Sequence, residues 1–147
     1  MFRGRYEHQL DPKGRLALPA AFRRALGDEA TLVVTAHISS PCLVAHPIRE
    51  WEQFELRLSR LPQFDRNVML LRRLYVGSAM DCPIDRQGRV LIPPVLRAHA
   101  ELEREVYWVG GMKTAEIWAK ASWDESVESM RAEVDQDVLS KLGELGI

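Results

Sequence analysis

A chain of 147 residues, 46% hydrophobic and 28% charged, has the make-up of a globular protein with one ordinary domain or two very small ones. Its net charge of −1 argues against a generic nucleic-acid binder, but the charge is unevenly spread: residues 1–27 balance at +4 and residues 101–147 at −6. No apolar run approaches the roughly 18–20 residues of a membrane span, the N-terminus lacks a signal-peptide stretch, and the isolated Cys42 and Cys82 suit a reduced, cytoplasmic protein. A basic front and an acidic tail fit a molecule that meets a polyanion on one side.

In chain order, Phe2 to Leu10 alternates as a strand, with Tyr6, His8 and Leu10 on one side and Arg5, Glu7 and Gln9 on the other. It runs into Leu10-Asp11-Pro12-Lys13-Gly14-Arg15-Leu16-Ala17-Leu18-Pro19. Asp first and Gly fourth, with Pro second, fit a type I turn whose corner the Asp carboxylate fixes. Leu16 and Leu18 then share one strand face while Arg15 leaves on the other, and Pro19 stops the strand and opens a short helix. Thr31 to Thr35 reads as a buried strand and Leu43 to Ala45 as the next strand. Pro47 opens a helix with a Trp51, Phe54, Leu58, Leu61 stripe, ended by Pro62. A second helix is expected from about Asp65, its cap, to Tyr75.

After a break at Gly77-Ser78-Ala79 the pattern starts again. Ile84-Asp85-Arg86-Gln87-Gly88-Arg89-Val90-Leu91-Ile92-Pro93 aligns without a gap on the first turn, shifted by 74 residues. A strand from Val106 to Val109, a turn at Gly110-Gly111 and a strand from Glu116 to Ala119 follow. Ser122 and Glu125 read as a capping box. The helix they open carries Trp123, Val127, Met130, Val134 and Val138 at helical spacing, a stripe for core or interface. The halves are 1–77, a barrel half with two helices, and 78–147, a barrel half with a C-terminal helix. Each is too small to bury enough surface alone, and no linker separates them, so one shared core is expected.

The paired Asp-x-x-Gly-Arg turns, each followed by an apolar strand, Pro and a short helix, resemble those of the MraZ family of bacterial transcription regulators. Met1-Phe2-Arg3-Gly4-Arg5-Tyr6 and Arg72-Arg73-Leu74-Tyr75-Val76-Gly77-Ser78-Ala79 are similar too, so the resemblance covers nearly the whole chain. It implies an α+β fold: a double-split, swapped-hairpin β-barrel of the AbrB-like kind, built from two internal repeats with peripheral helices. It also implies binding to double-stranded DNA at short direct repeats ahead of the division and cell-wall gene cluster, as a homo-oligomeric ring in the cytoplasm on the nucleoid. The family's Asp-x-x-x-Arg element falls on Asp11 with Arg15 and on Asp85 with Arg89.

The chemistry of the residues agrees with that implication. A two-stranded ribbon fits the major groove, where arginine pairs bidentately with guanine. Arg15 and Arg89 suit that role, each supplying on the order of 1–3 kcal/mol of discrimination. Lys13 and Arg86 lie within the turns and should reach phosphates, Gln87 base or backbone, and Arg3 and Arg5 could extend the positive surface. Asp11, Gly14, Asp85 and Gly88 shape the turns and orient the arginines. An enzyme is disfavoured: four scattered His (His8, His37, His46, His99) come with no HExxH, CxxC, G-x-S-x-G or phosphate-cradling loop. His46 reads as a cap or surface residue. No cofactor, metal or small-molecule substrate is expected. The rival reading is a self-assembling ring scaffold whose basic turns serve subunit contacts without reading DNA.

Overall fold

The order of elements repeats itself within the chain. The computed structural model describes residues 1–147. Its first half contains β1 (Arg5–Gln9), β2 (Arg15–Ala17), α1 (Ala20–Leu26), β3 (Thr31–Ala36), β4 (Leu43–Pro47), α2 (Ile48–Ser59) and α3 (Arg66–Leu71), which runs into a π-helical turn at Arg72–Val76. The second contains β5 (Met80–Pro83), β6 (Arg89–Leu91), α4 (Pro94–His99), β7 (Glu105–Gly111), β8 (Thr114–Ala119), α5 (Lys120–Ala132) and α6 (Gln136–Glu144).

All strand pairings are antiparallel, and the decisive ones cross between repeats. A six-stranded sheet has the order β1-β7-β8-β4-β3-β5, and β2 pairs with β6 in a separate two-stranded ladder. The first strand of each repeat therefore lies against the third strand of the other: β1 on β7, and β5 on β3. This is the expected α+β split barrel with peripheral helices. One cluster of 20 buried residues draws Leu16, Leu18 and Phe22 from the first repeat and Val90, Ile92, Leu96 and Trp108 from the second. Phe22 sits at its centre, its ring 4.9 Å from that of Phe2, 5.4 Å from Tyr6 and 6.0 Å from Trp108. The Trp108 indole N–H donates to the Ala17 carbonyl at 3.0 Å, so even this buried polar group is satisfied by the other repeat.

Several local expectations change. Gly110 and Gly111 are the last residues of β7, and the hairpin turns at Met112 and Lys113, with Met112 at φ 71°. Gly110 is needed for a close approach: a Cβ there would fall 2.5 Å from the Arg3 nitrogen and Cα. Ser122 does not cap α5. The strand β8 passes directly into the helix, Ala119 is the capping residue, and no side chain bonds to the helix start. The C-terminal stripe does not lie in the core either. The helix breaks after Ala132, α6 buries none of its residues, and Met130, Val134 and Val138 are exposed.

The helix capped by Asp65, whose carboxylate accepts from Asn67 and Val68, changes to π geometry before it ends. There the Tyr75 carbonyl accepts the Thr35 hydroxyl at 2.5 Å, and the Tyr75 hydroxyl meets His46 Nε2 at 2.8 Å. His46 is thus buried, not at the surface, and is enclosed by the rings of Trp51, Phe54 and Tyr75. Burial holds its pKa down at about 4, from an ordinary 6.5. A depressed folded pKa means the unfolded chain binds the proton first. The contribution of neutral His46 to stability is full above pH 6.5 and lost as pH falls toward 4. Denaturant midpoints measured across that window should fall with acid, and the slope should flatten in His46→Gln; equal slopes in both proteins would contradict the assignment.

Candidate nucleic-acid interface

Each tip is locked by one carboxylate. In the first, the Gly14 N–H donates to the Asp11 carbonyl at 2.9 Å, closing the turn. Asp11 Oδ1 accepts the Lys13 and Arg15 N–H groups at 2.9 and 2.8 Å, and Oδ2 accepts Arg15 Nε at 2.6 Å. The second repeats the pattern: the Gly88 N–H donates to the Asp85 carbonyl at 2.9 Å. Asp85 Oδ1 accepts from Gln87 and Arg89 at 2.9 Å each, and Oδ2 accepts Arg89 Nε at 3.0 Å. Gly14 at φ +87° and Gly88 at φ +77° occupy backbone space that L side chains rarely adopt.

The β2–β6 ladder sets the two tips relative to one another. Its register is Arg15 opposite Leu91, Leu16 opposite Val90 and Ala17 opposite Arg89. Alternation sends Leu16 and Val90 into the core and leaves Arg15, Ala17, Arg89 and Leu91 on the outer face. Arg15 and Arg89 are diagonal neighbours on that face, with Cα atoms about 7–8 Å apart. The Ile92 N–H donates to the Gly14 carbonyl at 2.8 Å and the Leu18 N–H to the Gly88 carbonyl at 2.9 Å. The two turns thus flank the ladder at opposite ends, separated by roughly 13 Å of strand. Pro12, Lys13, Arg86 and Gln87 are exposed at the corners. Gln87 Oε1 lies 3.5 Å from Arg89 Nη2, the outer limit of a hydrogen bond.

Arg3 and Arg5 do not join this face. Arg5 begins β1, opposite Val109 and a full strand away from the Asp11 turn, and its guanidinium lies 5.0 Å over the Tyr107 ring and 5.5 Å over Trp123. It is a packing cation for α5. Arg3 precedes it, where the chain crosses Gly110. Two groups that the sequence left without a role do lie at the tips. Leu91 is a large apolar side chain, 56% exposed, opposite Arg15 on the outer face of the ladder. Arg23 on α1 and Arg97 on α4, 74 residues apart like the two turns, rest on the tip glycines. Leu91 carried a signal, being an apolar residue on the strand face shared with Arg89, but its partner strand was not legible.

A strand-exchanged, internally duplicated barrel with two matched cationic tips on an exposed ladder defines the class of protein. The family model described as "MraZ protein, putative antitoxin-like" matches residues 1–73 and again 76–140. A protein from Pediococcus pentosaceus named "Transcriptional regulator MraZ" is 40% identical over 147 residues, all of both chains. Two others of that name, from Thermoanaerobacter pseudethanolicus and Shewanella frigidimarina, are 40% identical over 85% of each chain and 38% identical over 95% of this chain and 94% of theirs. The chain belongs to the MraZ family. It stands among transcriptional regulators, not enzymes.

The tip carboxyls give a direct test of this geometry. Asp11 and Asp85 are held below the usual 3.8, first by the backbone N–H groups of Arg15 and Arg89 and then by their guanidinium groups. Each carboxylate therefore contributes stability above pH 3.8 that is lost as pH falls below it. In an NMR titration both midpoints should lie below 3.8, and Arg15→Ala should move that of Asp11 only part of the way back. A complete return would show that the side chain, not the turn backbone, holds the charge.

Proposed function

We propose that the chain is a sequence-specific DNA-binding regulator, acting as a homo-oligomer on promoter direct repeats ahead of the division and cell-wall gene cluster, in the cytoplasm on the nucleoid. The observation that carries this reading is the outer face of the β2–β6 ladder, where Arg15 and Arg89 stand side by side on an exposed two-stranded ribbon. Each guanidinium gives its Nε to a carboxylate and turns its outer N–H groups away from it, those of Arg89 meeting only the long 3.5 Å contact to Gln87 Oε1. This orientation is what bidentate recognition of guanine O6 and N7 requires. Lys13 and Arg86, exposed at the corners, are placed to meet phosphates, and Gln87 to meet base or backbone. Leu91, opposite Arg15 in the ladder, offers an apolar contact of the kind a thymine methyl group takes.

Few contacts per subunit imply weak, salt-sensitive binding by one copy. Assembly offsets this. Linked subunits on successive repeats make later contacts intramolecular and raise avidity by roughly 10²–10⁴. The exposed apolar side chains on and around the last helix, Val134, Val138, Leu139, Leu142 and Leu145, favour a self-associating protein. Direct DNA repeats suit copies related by rotation in a ring.

The test pairs two readouts on the Arg15→Ala, Arg89→Ala protein. Discrimination between a duplex selected from a random library and a scrambled one should fall by roughly tenfold or more for each arginine, while the mass by light scattering stays that of the wild type. Unchanged discrimination would refute the site. A collapsed assembly with intact discrimination would instead support the scaffold reading of the tips.

A further inference from the structure

Arg23 and Arg97, at matching positions of the two repeats, are exchanged between them. Arg23 lies on α1 of the first repeat, yet its guanidinium covers the tip glycine of the second: a Cβ built on Gly88 would meet Arg23 Cζ and Nη1 at 2.5 Å. Arg97 lies on α4 of the second repeat and covers the first tip, a Cβ on Gly14 falling 2.7 Å from its Cζ and Nη1. The exchange follows from the ladder. The Leu18 N–H bonds to Gly88 and the Ile92 N–H to Gly14, so each short helix starts beside the other repeat's turn. Glycine at the fourth turn position thus meets two needs, a positive φ and room for a flat guanidinium.

These two cations differ from Arg15 and Arg89 in what holds them. Neither takes part in an ion pair. Arg97 Nε is buried with no acceptor, and the guanidinium packs flat on Gly14 through Cζ, Nη1 and Nε. A planar cation fixed against a turn and lacking any carboxylate is pre-organised for an oxyanion, because little side-chain freedom remains to be lost on binding.

We propose that Arg23 and Arg97 are phosphate-backbone clamps, each gripping the duplex at the tip contributed by the other repeat. Arg15 and Arg89 then read bases while the crossed pair sets affinity and register for any sequence. The inference rests on the DNA-binding reading given above, and it assigns the second repeat's arginine to the first repeat's tip.

The experiment compares Arg23→Gln plus Arg97→Gln, the matching double Lys protein and the wild type, each on the selected duplex and on a scrambled duplex of equal length. For the Gln protein, the slope of log affinity against log salt should shrink by about 1.8 for each subunit engaged on the duplex, two phosphate contacts at about 0.9 each. Its loss of affinity between about 50 and 200 mM salt should then be at least roughly tenfold smaller than that of the wild type. The preference for the selected duplex should stay within about twofold of wild type, and the Lys protein should keep the wild-type slope. An unchanged slope in the Gln protein, a collapsed sequence preference, or equal damage from Gln and Lys would each overturn the clamp assignment. Failure of the underlying reading looks different: no sequence would be enriched from the library, while the slope on the scrambled duplex would still report on the clamps.

Discussion

The short ladder between β2 and β6 is the constraint on which the rest of the molecule depends. It is only three residues long on each side, but both of its strands leave a cationic turn and enter a short helix. Pairing them antiparallel brings each turn against the other repeat's helix, and the bonds from Leu18 to Gly88 and from Ile92 to Gly14 close the arrangement at both ends. Leu16 and Val90, facing inward from the ladder, join the shared core and tie the tips to it. Neither half presents a finished tip by itself. Repeats of about half the chain could not each supply a core of adequate size, and exchange resolves that shortage while setting two arginines side by side.

Charge is used locally, not globally. A net charge of −1 would steer no polyanion toward the molecule as a whole. At the tips, however, Asp11 and Asp85 are engaged by backbone N–H groups and by Arg15 and Arg89, so their negative charge is spent within the turn. Such solvent-screened pairs contribute little to stability. Their consequence is orientation: a guanidinium tethered through Nε has one way to face outward. Lys13, Arg86, Arg23 and Arg97 surround that centre without tethers of this kind.

Much of this was legible in the sequence because it is written in local chemistry. Asp, Gly and Pro at fixed offsets specify a turn and a strand stop, and the duplication at 74 residues makes each copy corroborate the other. What escaped is long-range. Which strand pairs with which is not a property of a window, so the crossing of β1 to β7 and the placement of Arg23 on Gly88 had no signature. Gly110 looked like a turn residue, yet it is glycine because the N-terminal segment passes over it. His46 looked polar and exposed, but the rings of Trp51, Phe54 and Tyr75 close over it from elements up to 29 residues away. Arg5, grouped with the basic front by proximity in sequence, is held by aromatic rings at the far end of the chain.

If mutual exchange holds the tips, the two repeats must open together. Native-state hydrogen exchange under mild denaturant measures this directly, through the amides of Leu18 and Ile92, whose acceptors lie in the opposite repeat, and those of the central strands β3 and β7. The account predicts one shared opening free energy and one denaturant dependence for amides from both halves. Separate values, with one repeat exchanging while the other stays protected, would contradict it.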